Sequence, residues 1–321
     1  MHVKQFFMDL KLNICFVCKW LWIALILGVV CGVVGALFHI AIDYATDFRM
    51  SHSWIVWGLP LGGLAIAYLY RLVHLVHEPG TNTIIQSVRQ QDHVPVLLAP
   101  AIFLATVITH LFGGSSGREG AALQIGGSLA TTFGKIIHAD QREMSMLIMC
   151  GMSAVFSALF GTPLTATLFS MEVVSVGVFY YAALVPCLCS SLISFGIAQC
   201  FGCQPTFYSL NLPFQLTPLL CLQLVIFALL IATFSILFVL MMHYSHKWFH
   251  QYFHNPYIRV LVGAVLLMIL VVFFKQRYLG AGMDVVEAAL YQEVFPYDFF
   301  MKALFTAITI GCGFKGGEIV P

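Results

Sequence analysis

The sequence predicts an all-α polytopic membrane protein, and three observations carry that expectation. Of 321 residues, 60% are apolar and only 9% are charged. A soluble domain carries roughly 25% charged residues, so this chain has too few to cover a water-facing surface. Mean hydropathy is +0.92. Apolar runs approaching the roughly 20 residues that a spanning helix needs recur along the whole chain. The net charge of +1 excludes an electrostatic case for nucleic acid.

The elements follow in order. Lys4, Lys11 and Lys19 precede an apolar stretch from Trp20 to about Ile42. It is too long for the core of a signal peptide, and no small-residue cleavage site follows it. It reads as the first membrane helix, with Trp20 and Trp22 as interfacial anchors and the basic end in the cytoplasm. Gly28, Gly32, Gly35 and Ala36 give it a small-residue face for close packing. Further apolar segments fall at 53–76, 95–112, 119–137, 144–160, 162–176, 178–200, 217–242, 258–274 and 298–312. Several are too short to cross alone, and many breaks are glycine-rich. Such interruptions suit a transporter, where irregular backbone lines a cavity inside protein. Arg71, Arg89, Lys135 and Arg142 mark loops expected inside, and the loop expected near Asp43 and Asp47 lies outside.

An internal repeat organises these segments. Residues 105–119 and 306–318 each carry an Ile-Thr pair followed by Gly-x-x-Gly-x-Glu. This aligns Gly114, Gly117 and Glu119 with Gly313, Gly316 and Glu318, a displacement of 199 residues from 119 to 318. Upstream, Gly80-Thr81-Asn82 followed by Ile84 echoes Gly282-Met283-Asp284 followed by Val286. The expected organisation is a cytoplasmic segment at 1–19, a first transmembrane repeat at 20–203 and an incomplete second repeat at 204–321. Inverted repeats are common in transporters.

The glycine loops suggest chemistry. In Gly113-Gly114-Ser115-Ser116-Gly117-Arg118-Glu119-Gly120-Ala121, one helix-like span ends and another begins. Glycines let backbone N–H groups turn toward one point, and the opening turn of the next helix adds N–H groups and a positive dipole end. This makes an anion site without a full positive charge. A fixed lysine would bind the anion too tightly to release it, whereas dipoles allow passage. Glu119 sits where the anion would sit. Its carboxylate can be displaced, or can accept a proton and swing away.

Gly117-Arg118-Glu119-Gly120 resembles the Gly-Arg/Lys-Glu-Gly signature of the CLC chloride channels and anion–proton antiporters. Leu123-Gln124-Ile125-Gly126 and Phe160-Gly161-Thr162-Pro163-Leu164 are similar to that family as well, and the resemblance runs from about residue 21 to the end. It implies a CLC-like inverted-repeat bundle with short, broken and re-entrant helices. It also implies a homodimer with one pore per subunit, and Glu119 as the gating, proton-coupling glutamate. The family's usual Gly-Ser-Gly-Ile-Pro is absent, and Gly80-Thr81-Asn82-Thr83-Ile84 takes its place. The proline usual after Gly-Arg-Glu-Gly is Ala121. The glutamate of the intracellular proton route in chloride exchangers falls at Val173, beside Glu172. Gly313-Phe314-Lys315-Gly316-Gly317-Glu318-Ile319-Val320-Pro321 is similar to the form in the fluoride-exporting branch, which usually has Thr at Val320.

The expected activity is therefore export of a small halide, fluoride, coupled to proton import, with a chloride channel or chloride/proton antiporter as the alternative. Besides Glu119, the anion-binding candidates are Gly80, Thr81, Asn82, Thr83, Gly117, Arg118, Gly120, Gly316, Gly317, Glu318 and Ile319. The partners are the halide, protons, the lipid bilayer and a second copy of the chain. No enzyme activity, catalytic residue, metal or cofactor is expected. The expected location is the bacterial inner membrane, multi-pass, with the N-terminus cytoplasmic.

Other motifs carry less. Gly114-Ser115-Ser116-Gly117 matches the G-x-S-G of intramembrane serine proteases, but residues 144–242 offer no histidine as base. His243, His246, His250 and His254 share a helical face; beside Lys247, Trp248 and Tyr252 they fit an interfacial belt better than a metal site. Cys15–Cys18 and Cys200–Cys203 have C-x-x-C spacing, without a second pair or a nearby His. Glu172 suits helix packing or a water-facing position better than a proton relay. The chain ends as the second glycine loop opens its helix, so a fragment or truncated product is expected. Purified residues 1–321 should then carry no saturable anion flux in liposomes, and robust flux would refute this.

Overall fold

The computed structural model describes residues 2–76, 80–90, 94–174, 177, 180–205, 217–290 and 294–319, with side chains in the first helix described from Phe16. The described residues form twelve α-helices. Among the described residues, six helical stretches are long and apolar enough to cross a membrane: Phe16–Ser51, Ser53–Leu72, Gln141–Phe160, Tyr181–Cys200, Pro218–Tyr252 and Pro256–Phe274. The chain divides into two compact units. The first comprises Met1–Ala45, Tyr70–Val107 and Arg118–Pro205; the second comprises Thr46–Leu69, Ile108–Gly117 and Thr206–Pro321.

Helix α1 runs unbroken from His2 to Ser51. The segment expected at 1–19 is therefore helical and continuous with the first span. The reason is local: no Gly or Pro precedes Gly28, and the lysines there are good helix formers. The expected outer loop near Asp43 and Asp47 is also helix, and the chain turns only at His52. Asp43 is tolerated on the helix because His39, one turn earlier, and Arg118 pair with it at 3.0 and 3.2 Å.

In the first unit, α3 (Thr81–Gln90), α5 (Glu119–Ile136), α7 (Pro163–Glu172) and α8 (Tyr181–Cys200) pack around α6 (Gln141–Phe160), most of whose length is buried. Lipid tails are as apolar as leucine, so close packing and hydrogen bonds must hold these helices together. The chain supplies both. A Cβ on Gly126 of α5 would lie 2.2 Å from the Gly151 carbonyl of α6, so the two backbones touch. The small-residue face of α1 behaves as expected: Gly28 and Gly32 meet α8 at Ser190 and Ser194, and Gly35 meets Ala158 of α6. Serine hydroxyls then cross between α6 and α8. Ser157 donates to Ser191 O at 2.8 Å, Ser194 to Ala154 O at 2.6 Å and Ser190 to Cys150 O at 3.1 Å. Asp140 caps α6 by accepting from Glu143 N at 2.8 Å, and Gly161, at φ 68°, closes it.

In the second unit, α2 (Leu59–Leu72) begins after a 3-10 turn at Ser53–Gly58 and cradles Phe112 against Gly58 and Gly62. Helix α10 (Pro256–Phe274) brings Gly263 against Cys312 of α12 (Asp298–Cys312). Helix α9 (Pro218–Tyr252) meets α12 where Ser245 donates to Ala307 O at 2.6 Å, and otherwise presents apolar side chains outward. The four histidines lie along its last turns and just beyond; the His246 and His250 rings lie 3.8 Å apart between centroids, tilted by 32°.

Helix α12 is fixed at its start by Asp298. This buried carboxylate accepts from Arg277 Nη2 at 2.7 Å, Arg277 Nε at 3.3 Å, the Tyr278 hydroxyl and Phe295 N at 3.0 Å. Hydrogen bonds to a charged group are the stronger kind. Asp298→Asn should lower stability by about 1–3 kcal/mol, read as a lower melting temperature in detergent. An unchanged melting temperature would show that α12 is held elsewhere.

Candidate functional site

Within the second unit the two glycine loops meet. Helix α4 (Leu98–Phe112) and α12 are both 15 residues long and lie 200 positions apart. Each ends on a left-handed glycine, Gly113 at φ 89° and Gly313 at φ 115°, a conformation that costs glycine little. Gly117 N then donates to Gly317 O at 2.8 Å, and Gly317 N to Gly117 O at 2.7 Å. The two loops run antiparallel at this crossing. Flanking bonds are reciprocal too: Ser115 N donates to Thr309 Oγ1 at 3.1 Å and Lys315 N to Thr109 Oγ1 at 3.4 Å. Structural equivalence therefore runs at 200 residues, one more than the Gly-x-x-Gly-x-Glu alignment. Thr109 matches Thr309, Gly117 matches Gly317, and Glu318 falls opposite Arg118 in register rather than opposite Glu119. The motif alignment slipped because Gly316-Gly317 offers two glycines to one.

Lys302 is the residue that sequence reasoning missed. It lies within α12, is 5% exposed, and its ammonium donates to Ser115 Oγ at 2.8 Å, Gly280 O at 2.6 Å and Tyr278 O at 3.2 Å. Ser115 Oγ also contacts Thr306 Oγ1 at 3.0 Å. A full positive charge thus stands directly behind the first loop, where the sequence had suggested dipoles alone. The signal was available: a lysine inside an apolar segment is costly and usually functional. Arg49, also buried, packs against Gly280 and lies within Coulombic reach of Asp284.

The first unit holds the other half of the predicted set. Glu119 is the first residue of α5 and is 1% exposed. Its Oε2 accepts from Arg118 N at 2.8 Å, so the carboxylate folds back over its own helix N-terminus. The Arg118 guanidinium is engaged elsewhere. It reaches Asp43 Oδ1 and His39 Nδ1, both at 3.2 Å, and lies over the Phe160 ring at 5.5 Å. The Gly120 carbonyl accepts from Gln124 Nε2 at 3.2 Å. Gly80, at φ 72°, leads into α3 as Gly282, at φ 82°, leads into α11 (Met283–Leu290), so the upstream echo marks equivalent helix starts. Thr83 Oγ1 is buried and finds no partner among the described residues, while Asn82 is exposed.

Of the remaining candidates, Gly316 lies against Ser116 in the second unit, while Glu318 and Ile319 are exposed. Val320 lies outside the described residues. The Glu172 carboxylate accepts from Gly177 N at 2.9 Å, next to Val173 at the end of α7.

The profile of the voltage gated chloride channel family matches residues 62–321. The chain belongs to that family, the CLC family. Among its CLC relatives is the chloride/fluoride channel protein of Pseudomonas syringae pv. tomato, 30% identical over 316 residues, covering 95% of this chain and 70% of that protein. The crystal structure of a CLC-type fluoride/proton antiporter is similar at a TM-score of 0.90 and 31% identity, covering 95% of this chain and 78% of that one. A slow cyanobacterial Cl⁻/H⁺ antiporter shares the fold at a TM-score of 0.78 and 21% identity, over 94% of this chain and 76% of that one.

Lys302 ties the first CLC loop to α12. Lys302→Met keeps the length of the side chain but removes three donors. It should destabilise the protein by about 1–3 kcal/mol, seen as a lower melting temperature in detergent. A melting temperature equal to wild type would show that the ammonium does not hold the loop.

Proposed function

We propose that the protein exports fluoride across the membrane in exchange for protons. The observation that carries this is the antiparallel crossing of the two glycine loops with Lys302 behind it, in a chain 31% identical to a CLC-type fluoride/proton antiporter over 95% of its length. Fluoride is small and holds its water strongly, so its site must supply close, strong donors. Thr81 and Thr83 hydroxyls and the Asn82 amide are the side-chain donors assigned to it. In the first unit the Arg118 and Gly120 backbone is assigned with them; in the second unit Gly316 and Ile319 are assigned to the ion's path, while Gly117 and Gly317 give their N–H groups to each other and shape the loops. Lys302 adds a fixed positive potential that favours an anion over a cation at the second loop's crossing.

Glu119 is the gate. As a carboxylate at a helix N-terminus it is held by N–H groups and by the dipole. A proton removes that hold and frees the side chain, which links one proton to one movement of the gate. Glu318 is assigned to orienting the ion or relaying protons. The working unit is a homodimer in the bacterial inner membrane, with the N-terminus in the cytoplasm. Chloride is the second reading, favoured by the name of the Pseudomonas relative, which covers both ions, and by Val320 where the fluoride branch usually has Thr.

Paired efflux from proteoliposomes carrying the full-length protein decides between them, with fluoride- and chloride-selective electrodes under one proton gradient. Fluoride should leave faster, and Glu119→Gln should abolish proton uptake while passive anion movement persists or changes. A chloride rate equal to the fluoride rate would sink the fluoride assignment. Unchanged proton coupling in Glu119→Gln would sink the gate.

A further inference from the structure

The backbone donors of the first glycine loop are spent inside the protein. Gly113 N donates to His110 O at 3.3 Å, Gly114 N to Thr109 O at 2.8 Å, Ser116 N to Gly280 O at 3.2 Å and Gly117 N to Gly317 O at 2.8 Å. Ser115 N is taken by Thr309 Oγ1. The Ser115 hydroxyl is taken by Lys302 and Thr306. Among the loop's described donors, one is left over. Ser116 Oγ is fully buried and hydrogen-bonds to nothing among the described residues. Buried hydroxyls are almost always paired, and one left alone destabilises the fold. An unpaired hydroxyl in a loop whose backbone N–H groups are all satisfied is therefore a group held ready for an acceptor from outside.

We infer that the Ser116 hydroxyl is a ligand for the transported anion, donating its hydrogen to a small, strongly hydrated ion at the crossing of the two loops. The inference rests on the anion-transport reading above. Its surroundings, all within the second unit, suit that role. Ser116 lies on Gly316 of the opposing loop so closely that a Cβ there would sit 2.3 Å from Oγ and 2.6 Å from the Ser116 Cβ. Glycine at 316 is thus what allows the hydroxyl its place. Lys302 Nζ and Ser116 N donate to the same oxygen, Gly280 O. The ammonium charge is accordingly fixed one carbonyl away from the serine.

Division of labour follows from the donor inventory. An ammonium has three hydrogens, and the three contacts to Ser115, Gly280 and Tyr278 use all of them. Lys302 then attracts the anion through space without gripping it, and Ser116 makes the contact. Attraction without direct ion pairing satisfies the requirement that a conducted ion bind and also leave. A single short O–H donor favours a compact, hard anion, so loss of Ser116 weakens fluoride more than chloride.

The test compares wild type, Ser116→Ala, the near-isosteric weak donor Ser116→Cys, and Gly316→Ala, whose methyl group displaces the hydroxyl. For each, proteoliposome efflux of the full-length protein is measured over a range of internal fluoride and chloride, and the melting temperature is taken in detergent. In Ser116→Ala the half-saturating fluoride concentration should rise about tenfold, with a smaller rise for chloride, and the melting temperature should hold or increase because an unpaired buried hydroxyl is gone. Ser116→Cys should fall between, and Gly316→Ala should mimic Ser116→Ala. Half-saturation unchanged in Ser116→Ala, or a melting temperature that falls with saturation unaltered, overturns the inference and leaves the transport reading standing. Absence of saturable anion efflux in wild type overturns both.

Discussion

Two hydrogen bonds between Gly117 and Gly317 fix the geometry on which the second unit depends. Each glycine gives its N–H to the other's carbonyl, at 2.8 and 2.7 Å. Such a pair, outside any sheet, demands that two helices 200 residues apart end at matching positions and turn by the same route. Helices α4 and α12 meet that demand through equal length, left-handed glycines at 113 and 313, and threonines at 109 and 309 that each accept from the other loop. The antiparallel sense of the crossing is what two loops related by a two-fold axis would show. The loops gain rigidity at the cost of donors: the N–H groups of Gly117 and Gly317 are satisfied by each other.

That trade makes the side chains around the crossing matter more. With the backbone N–H groups of the loop spent, the positive potential behind it comes from Lys302. The cost of burying an ammonium is offset by three acceptors and by the α12 helix that holds it, which Asp298 fixes in turn through Arg277, Tyr278 and Phe295 N. A chain of contacts thus runs from a carboxylate at the start of α12 to a hydroxyl in the opposite loop.

The first unit meets a different constraint. Its helices cannot rely on the hydrophobic effect for association, because apolar side chains do as well in lipid. Glycine at 126 and 151 lets α5 and α6 touch backbone to backbone, and serines on α6 and α8 bond across the gap. This packing places the first turn of α5, and with it Glu119, on a rigid scaffold. Arg118 anchors the same turn from outside through Asp43, His39 and Phe160.

The sequence by itself determined the helical membrane class, the position of nearly every span, the small-residue face of α1, the existence of a repeat and the glycine loops. These are properties of short windows: an apolar run, a glycine period or a Gly-Arg-Glu-Gly motif needs no partner to be read. It also marked Glu119 at a helix N-terminus, since an acid after a glycine loop is a local signal. Tertiary structure alone decided the rest. The repeat register is 200 rather than 199 because hydrogen bonds, not motif letters, define equivalence. Asp43 sits within a helix because a partner 75 residues away neutralises it. Lys302 serves the first loop although 187 residues separate it from Ser115, and the Ser116 hydroxyl finds no partner among the described residues although the N–H groups around it do. Pairings at such separations depend on how the helices dock, and no local pattern in the chain encodes them.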